Sequence, residues 1–205
     1  MKFRESAIAH KYLDGLKGIE IGGSAHNSFG LDTINVDYTD DMHTVFKINE
    51  EQLCGEKMNV DVVANGDDLP FEDESTDFVI SSHVIEHFFD PIKAIKEWLR
   101  VVKKGGYILI IAPHKDRIFD SNRDCTTNEE LIKRNSGEIK MEDVDRTGWH
   151  HTSTVSGLDF ELHGHWCAWT TEAFKSFLEM LKVNIVEIQD ADDKVGNGFL
   201  FIIKK

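Results

Sequence analysis

Apolar positions along the chain follow two periods, and the alternation between them predicts the element order. Within residues 5–14, Ile8, Tyr12 and Leu13 fall near helical spacing, and Gly15 can close that helix. Residues 18–37, GIEIGGSAHNSFGLDTINVD, read as a short buried strand (18–21), a glycine turn at Gly22 and Gly23, an irregular or helical segment, and a second strand (33–36) that ends in Asp37. Residues 38–41 are polar and turn-like, and 45–53 have weak helical character. Residues 59–64 (NVDVVA) are rich in Val, as a buried parallel strand should be. After an irregular Gly- and Pro-containing stretch at 65–74, residues 76–81 (TDFVIS) form a fourth strand candidate.

From Pro91 to Val102, Ile92, Ile95, Leu99 and Val102 recur at helical spacing, with Pro91 suited to the first turn. Lys103, Lys104, Gly105 and Gly106 then read as the basic last turn and glycine stop of that helix. Residues 107–112 (YILIIA) are the most hydrophobic strand candidate and should lie centrally. The alternation breaks between Pro113 and Trp166, where 128–134 is the one good helix candidate; a stretch this long reads as a lid or binding insertion. Residues 170–181 predict a helix capped by Thr170 or Thr171, and strands at 184–189 and 198–203 close the chain around the acidic turn DADDKVGN. The expected fold is α/β: a three-layer, Rossmann-like, seven-stranded, mostly parallel sheet with one antiparallel strand in a C-terminal hairpin. It is read as a single domain, 1–205, with a substrate-binding or lid insertion at about 114–166.

Composition narrows the class without naming it. At 205 residues, 40% hydrophobic and 29% charged, the chain suits one globular domain. Its formal charge of −14 repels phosphate backbones and anionic membranes, so neither nucleic acid nor membrane is expected as a partner. No apolar core of a secretory signal and no run of ~18 apolar residues is seen, which points to a cytoplasmic protein, monomer or homodimer. Cys54, Cys125 and Cys167 are odd in number and far apart, as expected for reduced, buried thiols.

The strand, glycine turn and strand ending in Asp37 outline a nucleotide-binding half-sheet, in which Asp37 can accept hydrogen bonds from two ribose hydroxyls. A longer string sharpens this: DDLPFEDESTDFVISSHVIEHFFDPIKAIKEWLRVVKKGGYILIIAP combines an acidic-Leu-Pro-Phe loop, an Asp-Phe-Val strand, a His-x-x-x-His segment and an Arg-Val-x-Lys-x-Gly-Gly lead-in. In that order and spacing it resembles the core of class I S-adenosylmethionine-dependent methyltransferases of the small-molecule type, over about residues 16–113. The resemblance implies S-adenosylmethionine as cofactor. It also implies that Glu20 orients the glycine loop and the methionine end, that Gly22 and Gly23 form the glycine turn, and that Asp37, followed by Tyr38, binds the ribose. By the same resemblance Asn65, Gly66 and Asp67 contact the adenine, and Ser82 and His83 line the methionine moiety. Two departures stand out: the family's G-x-G-x-G is reduced to GGSA, and only 17 positions separate Glu20 from Asp37. The helix that normally follows the glycine turn is therefore expected to be shortened or replaced by a loop. Asn65 stands where an Asp is usual, so the adenine contact can fall to Asp67.

The reaction so implied is methyl transfer to a small-molecule acceptor, as an O-methyltransferase on a hydroxylated metabolite or sugar-like unit. Such an enzyme positions the nucleophile and removes its proton, and His is the side chain best matched to that base at neutral pH. The candidates are His114, after the fifth strand; His83, after the fourth; and His165 in the insertion. An ordinary hydrogen-bonded imidazole is the competing reading for each, and His87 beside Glu86 reads as structural. His163 and His165 would share one strand face, with His150, His151, Asp159 and Glu161 near them in sequence, but this spacing matches no strong metal pattern and no metal is assigned. Trp149, Phe160, Trp166 and Trp169 would line the insertion or anchor it to the core. The alternatives are a nicotinamide-dependent oxidoreductase, disfavoured by the missing third glycine, and a non-catalytic cofactor-binding protein of the same fold.

Overall fold

A computed structural model describes residues 1–145 and 164–205. In chain order the main elements are α1 (Ala7–Leu13), β1 (Lys17–Ile21), β2 (Asp32–Asp37), α2 (Val45–Cys54), β3 (Val62–Val63), β4 (Thr76–Ser82), α3 (Pro91–Val101), β5 (Val102–Pro113), α4 (Asn128–Asn135), α5 (Thr171–Met180), β6 (Asn184–Gln189) and β7 (Gly198–Lys204). The seven strands form one sheet in the order β3-β2-β1-β4-β5-β7-β6. Pairing is parallel from β3 through β5, and β7 runs antiparallel to both β5 and β6. Strand order reverses between β1 and β4, so the crevice for a ligand opens at the carboxyl ends of those two neighbours.

Period-two alternation sorts the central strands into two cores. Ile19, Ile21, Val79, Ile108, Ile110, Phe199 and Phe201 pack with α3 and α5 through Trp98, Phe174 and Phe177. Phe78, Ile80, Leu109, Ile111, Leu200 and Ile202 point the other way, against Ala9 and Leu13 of α1 and against Phe29. β5 and β7 are buried on both faces, which is why they read as continuous apolar runs. Helix starts follow their sequence signals: the side chains of Ser6, Thr44, Asp90, Thr127 and Thr170 each accept a first-turn backbone N–H. Trp166 and Trp169 are fully buried, anchoring the end of the long connection onto the core.

The structure corrects four local expectations. β3 is two residues long at the sheet edge, with Val63 half exposed, rather than a buried strand over 59–64. The backbone around it is occupied by other bonds: Asp61 N–H donates to Asn35 O, and the Asp61 carboxylate accepts Asn35 N–H. Lys103 to Gly106 belong to β5, not to the end of α3; Val102 already pairs with Thr76, and Gly105 at φ +81° absorbs the irregularity in that ladder. Of the cysteines only Cys167 is buried, while Cys54 and Cys125 are partly exposed. His165 lies in irregular chain rather than on a strand, and its supposed face-mate His163 falls outside the described residues, as do Trp149, His150, His151, Asp159, Phe160 and Glu161.

Gly106 sits where a Cβ would come 2.3 Å from the carbonyl oxygen of Asp77, a backbone atom that cannot swing away. Gly106→Ala is therefore expected to lower the unfolding free energy by about 1–3 kcal/mol, as overpacking does, in a urea titration followed by circular dichroism.

Candidate functional site at the carboxyl ends of the parallel strands

The chain leaves β1 through two glycines with different duties. Gly22 adopts φ +64°, and a Cβ there would meet Val84 at 2.8 Å. Gly23 lies against Asn35, whose side-chain oxygen accepts the Gly23 N–H at 2.9 Å. Beyond them the chain forms a single 3-10 turn (Ala25–Asn27) in place of a helix. A buried ion pair supplies the support a helix would have given. Glu50 of α2 accepts the N–H groups of Ala25 and Met58 and pairs with Lys47 at 3.0 Å; Lys47 in turn donates to Met58 O. From the other side Lys194 reaches in from the β6–β7 turn, donating to Ser28 O at 2.6 Å with its ammonium over the Phe29 ring. The turn itself is built on Asp192, whose carboxylate accepts the N–H groups of Lys194, Val195, Gly196 and Gly198. The loop then closes across the crevice through Asn27 Nδ2, which donates to Ser82 Oγ at 3.1 Å.

Two carboxyl groups stand beneath this loop. Glu20 is buried on β1 with one contact from Thr33 Oγ1 at 3.3 Å, and burial pushes its pKa up to about 7 despite attraction to Lys194. Asp37, at the end of β2, is also raised by burial, against the lowering effect of the Tyr38 N–H at 2.8 Å. Burial likewise raises the Tyr38 phenol. The neighbouring 65–67 segment is held from the opposite core: Trp98 Nε1 donates to Gly66 O at 2.7 Å, and Gly66 is wedged between Ile21 and Phe88. Asn65 is exposed and turns the chain by accepting Asp68 N–H, while Asp67 pairs with Lys93 at 3.1 Å.

At the end of β4 the backbone of His83 is left-handed, φ +56°, pinned by its N–H to Ile111 O at 2.8 Å. Burial lowers its pKa to about 4, and its Nε2 is buried without a hydrogen-bond partner among the described residues. The next turn (Ile85–His87) brings Glu86 and His87 alongside: His83 Nδ1 and His87 Nε2 each lie 3.9 Å from Glu86 Oε1. Glu86 is fully buried, which raises its pKa to about 7. His165 joins from the far end of the long connection, its ring 4.9 Å from that of His87 and 4.8 Å from Phe119. Its Nδ1 is 2.6 Å from the buried Asp120, a carboxylate kept below its usual range because, although burial raises it, the bonds to His165 and Arg123 outweigh that.

Two of the three predicted imidazoles, His83 and His165, thus flank one set of groups, Glu86 and His87. His114 has separate partners: its Nδ1 accepts Asp116 N–H at 3.3 Å, capping the turn after β5, and its ring rests near Phe199. Sequence reasoning missed Lys47, Glu50, Asn27, Asp120, Arg123 and Lys194. Only Lys47 and Glu50 left a trace, as a charged pair one turn apart on the buried side of a weakly amphipathic helix.

The residues fit S-adenosylmethionine: a buried acid on β1 and a half-buried one at the end of β2, a glycine turn that no side chain could replace, and polar atoms without a partner among the described residues, Asn27 Oδ1 and His83 Nε2, on either side of Ser82. Sequence comparison agrees. Residues 20–110 match the family described as a methyltransferase domain. Over those residues, a little under half of its length, the chain is similar to a methyltransferase domain, and the sheet with its antiparallel β7 has the fold of class I S-adenosylmethionine-dependent methyltransferases. The chain is 39% identical over 97 residues to an uncharacterized protein of Methanocaldococcus jannaschii, a match covering 46% of this chain and 43% of that protein. It is 31% identical over 100 residues to a demethylmenaquinone methyltransferase of Clavibacter sepedonicus, covering 49% of this chain and 40% of the relative. In each case it therefore spans less than half of the relative's length. A solved S-adenosylmethionine-dependent methyltransferase from Methanosarcina mazei shares the fold at 18% identity, with all of this chain and 99% of that chain covered and a TM-score of 0.55.

The raised pKa of Glu20 carries a stability consequence with a definite sign. Between its ordinary value of 4.5 and about 7 the folded chain holds a proton that the unfolded chain has lost, so this residue's contribution falls as pH rises through that window. Across it the loss is about 3 kcal/mol. Glu20→Gln should remove the dependence: in urea titrations its stability relative to the parent should climb from pH 4.5 to 7 and level off above.

Proposed function

We propose that this chain methylates a small-molecule acceptor at a hydroxyl group, as on a hydroxylated metabolite or sugar-like unit, using S-adenosylmethionine. The observation that carries the reading is His83, a non-glycine residue in left-handed backbone at the crevice, with a buried Nε2 that has no partner among the described residues. Such strain is retained where the surrounding structure over-determines it and a function uses it. Burial keeps the ring neutral at physiological pH, so Nε2 can accept the hydrogen bond of an acceptor hydroxyl; although burial also makes it a weak base, it can take the proton once methyl transfer has made that oxygen strongly acidic. The Glu86 carboxyl lies on the Nδ1 side of the ring, 3.9 Å away, which leaves Nε2 facing elsewhere.

The remaining roles follow from position. S-adenosylmethionine, when bound, supplies a methyl group activated by its sulfonium charge. Asp37 receives the ribose hydroxyls, Gly22 and Gly23 allow close backbone approach, and Glu20 supports the glycine turn from below. Asn65, Gly66 and Asp67 border the adenine side, and Ser82 and His83 border the methionine side. Residues 114–166 provide the acceptor side. Holding two reactants in line supplies the larger share of the rate, and the base a further ~10²–10⁴-fold. The likeness to a demethylmenaquinone methyltransferase supports a small acceptor, and the net charge of −14 speaks against a nucleic acid.

Titration calorimetry and thermal shift should show binding of S-adenosylmethionine and of its demethylated product, and no shift with a nicotinamide dinucleotide; absence of the first removes the proposal. Asp37→Ala should weaken cofactor affinity by about 10–100-fold, the worth of hydrogen bonds to a charged group. In an acceptor screen with labelled cofactor, His83→Asn, which tolerates the left-handed backbone, should cut turnover at saturating cofactor by ~10²–10⁴-fold, well beyond any loss of cofactor affinity measured on the same samples. His114→Ala should change turnover only a few-fold, and the opposite pattern would transfer the role to His114.

A further inference from the structure

We propose that Glu86, His87 and His165 form a binding site for one divalent first-row transition-metal ion, such as Zn²⁺ or Fe²⁺. One ligand atom from each of the three lies within 4.8 Å of the other two. Ligands about 2.1 Å from an ion stand roughly 3–3.5 Å apart, so the three need draw in by about an ångström, within the reach of side-chain rotation. The donor set of two imidazoles and one carboxylate suits Zn²⁺, Fe²⁺ or Co²⁺, whereas Mg²⁺ and Ca²⁺ take oxygen ligands.

The surroundings are those of a prepared site. His165 Nδ1 is bonded to Asp120 at 2.6 Å, which turns Nε2 outward as the ligand atom; Arg123 holds the other oxygen of Asp120 at 2.8 Å and the His165 carbonyl at 2.9 Å. His87 Nδ1 is bonded to Gly164 O at 3.1 Å, which places Nε2 toward Glu86. Both imidazoles are thus oriented through Nδ1 by an acceptor behind them, the arrangement that fixes the tautomer of metal-binding histidines. The Cys167 N–H to Glu86 O bond, 3.1 Å, ties the 164–167 segment to the turn that carries the other two ligands.

A purely structural ion network accounts for Asp120, Arg123 and His165, but it leaves Glu86 unexplained. That carboxyl group is 1% exposed; its Oε1 is the oxygen 3.9 Å from His87 Nε2, and its Oε2 has no hydrogen-bond partner among the described residues. Leaving such an oxygen buried and unsatisfied is costly, and native structures seldom do so without a ligand or function. A cation beside it removes the cost. If the methyl-transfer reading holds, on which this last step rests, an ion here would bind the acceptor oxygen next to His83 and favour its deprotonation.

The test uses the full chain, stripped with a chelator and titrated with Co²⁺ while the visible d–d absorption is followed. Binding of about one Co²⁺ per chain, displaced by Zn²⁺, is expected. Glu86→Gln and His165→Ala should abolish it, and Asp120→Asn, which keeps all three ligands, should weaken it by 10–100-fold. Circular dichroism checks the fold of each variant, and any one that remains folded serves. No spectral change in the parent at large Co²⁺ excess overturns the proposal. So does unchanged affinity in the folded variants, or stabilisation by Mg²⁺ alone. S-adenosylmethionine binding is measured on the same samples: its absence with Co²⁺ binding intact sinks the methyl-transfer reading and leaves the metal site standing.

Discussion

The buried ion pair between Lys47 and Glu50 supports the arrangement of the strand ends. A class I sheet ordinarily follows its first strand with a helix, and the helix backbone satisfies its own polar groups. Here ten residues must cross the same ground without one, so the N–H groups of Ala25 and Met58 go to a single carboxylate. A carboxylate sunk among backbone amides is tolerable only with a cation beside it, and Lys47 supplies that cation at 3.0 Å. Breaking the pair by removing one partner leaves a buried charge, which is why the two residues act as a unit. The loop they hold lies against Asn35 and reaches Ser82, so the pair governs the shape of the crevice without lining its chemistry.

The same constraint explains the polarity of the sheet under the loop. Where α1 covers β4 and β5 the strands present Phe78, Ile80 and Leu109; on β1 and β2, beneath the loop, the corresponding positions are Glu20, Thr33 and Asn35. A short loop cannot bury a wide apolar face, and these side chains bond to the loop or to one another instead. The pKa of Glu20 rises as a result of that position, and attraction to Lys194, arriving from the far hairpin, only partly offsets the rise. The crevice is therefore bounded by parts of the chain about 170 residues apart.

On the other flank, the turn after β4 concentrates titratable groups. His83, Glu86 and His87 come from one short segment, while His165 and Asp120 are delivered by the long connection, and the Cys167–Glu86 backbone bond draws the two together. Burial shifts the first two in opposite senses, toward the neutral form of each. A neutral imidazole facing the crevice with a buried carboxyl behind it is a pairing that chemistry on a hydroxyl group can use.

By itself the sequence determined the order and type of the elements, because period-two and period-3.6 patterns and helix caps are local properties. It also determined which residues stand at strand ends: Glu20, Gly22, Gly23, Asp37, Gly66, Ser82 and His83 are placed by their distance from an apolar run. The loss of the helix after β1 was legible as well, in the 17 positions between Glu20 and Asp37. Only the tertiary structure decided what crosses the sheet. That Glu50 caps a loop 25 residues earlier, that Lys194 faces Glu20, and that Asp120 orients His165 against Glu86 and His87 all depend on side chains brought together by packing, and no spacing in the chain encodes such meetings. The edge position of β3 and the β5 origin of Lys103 to Gly106 were decided there too, since strand neighbours, not local propensity, determine where a ladder starts and stops.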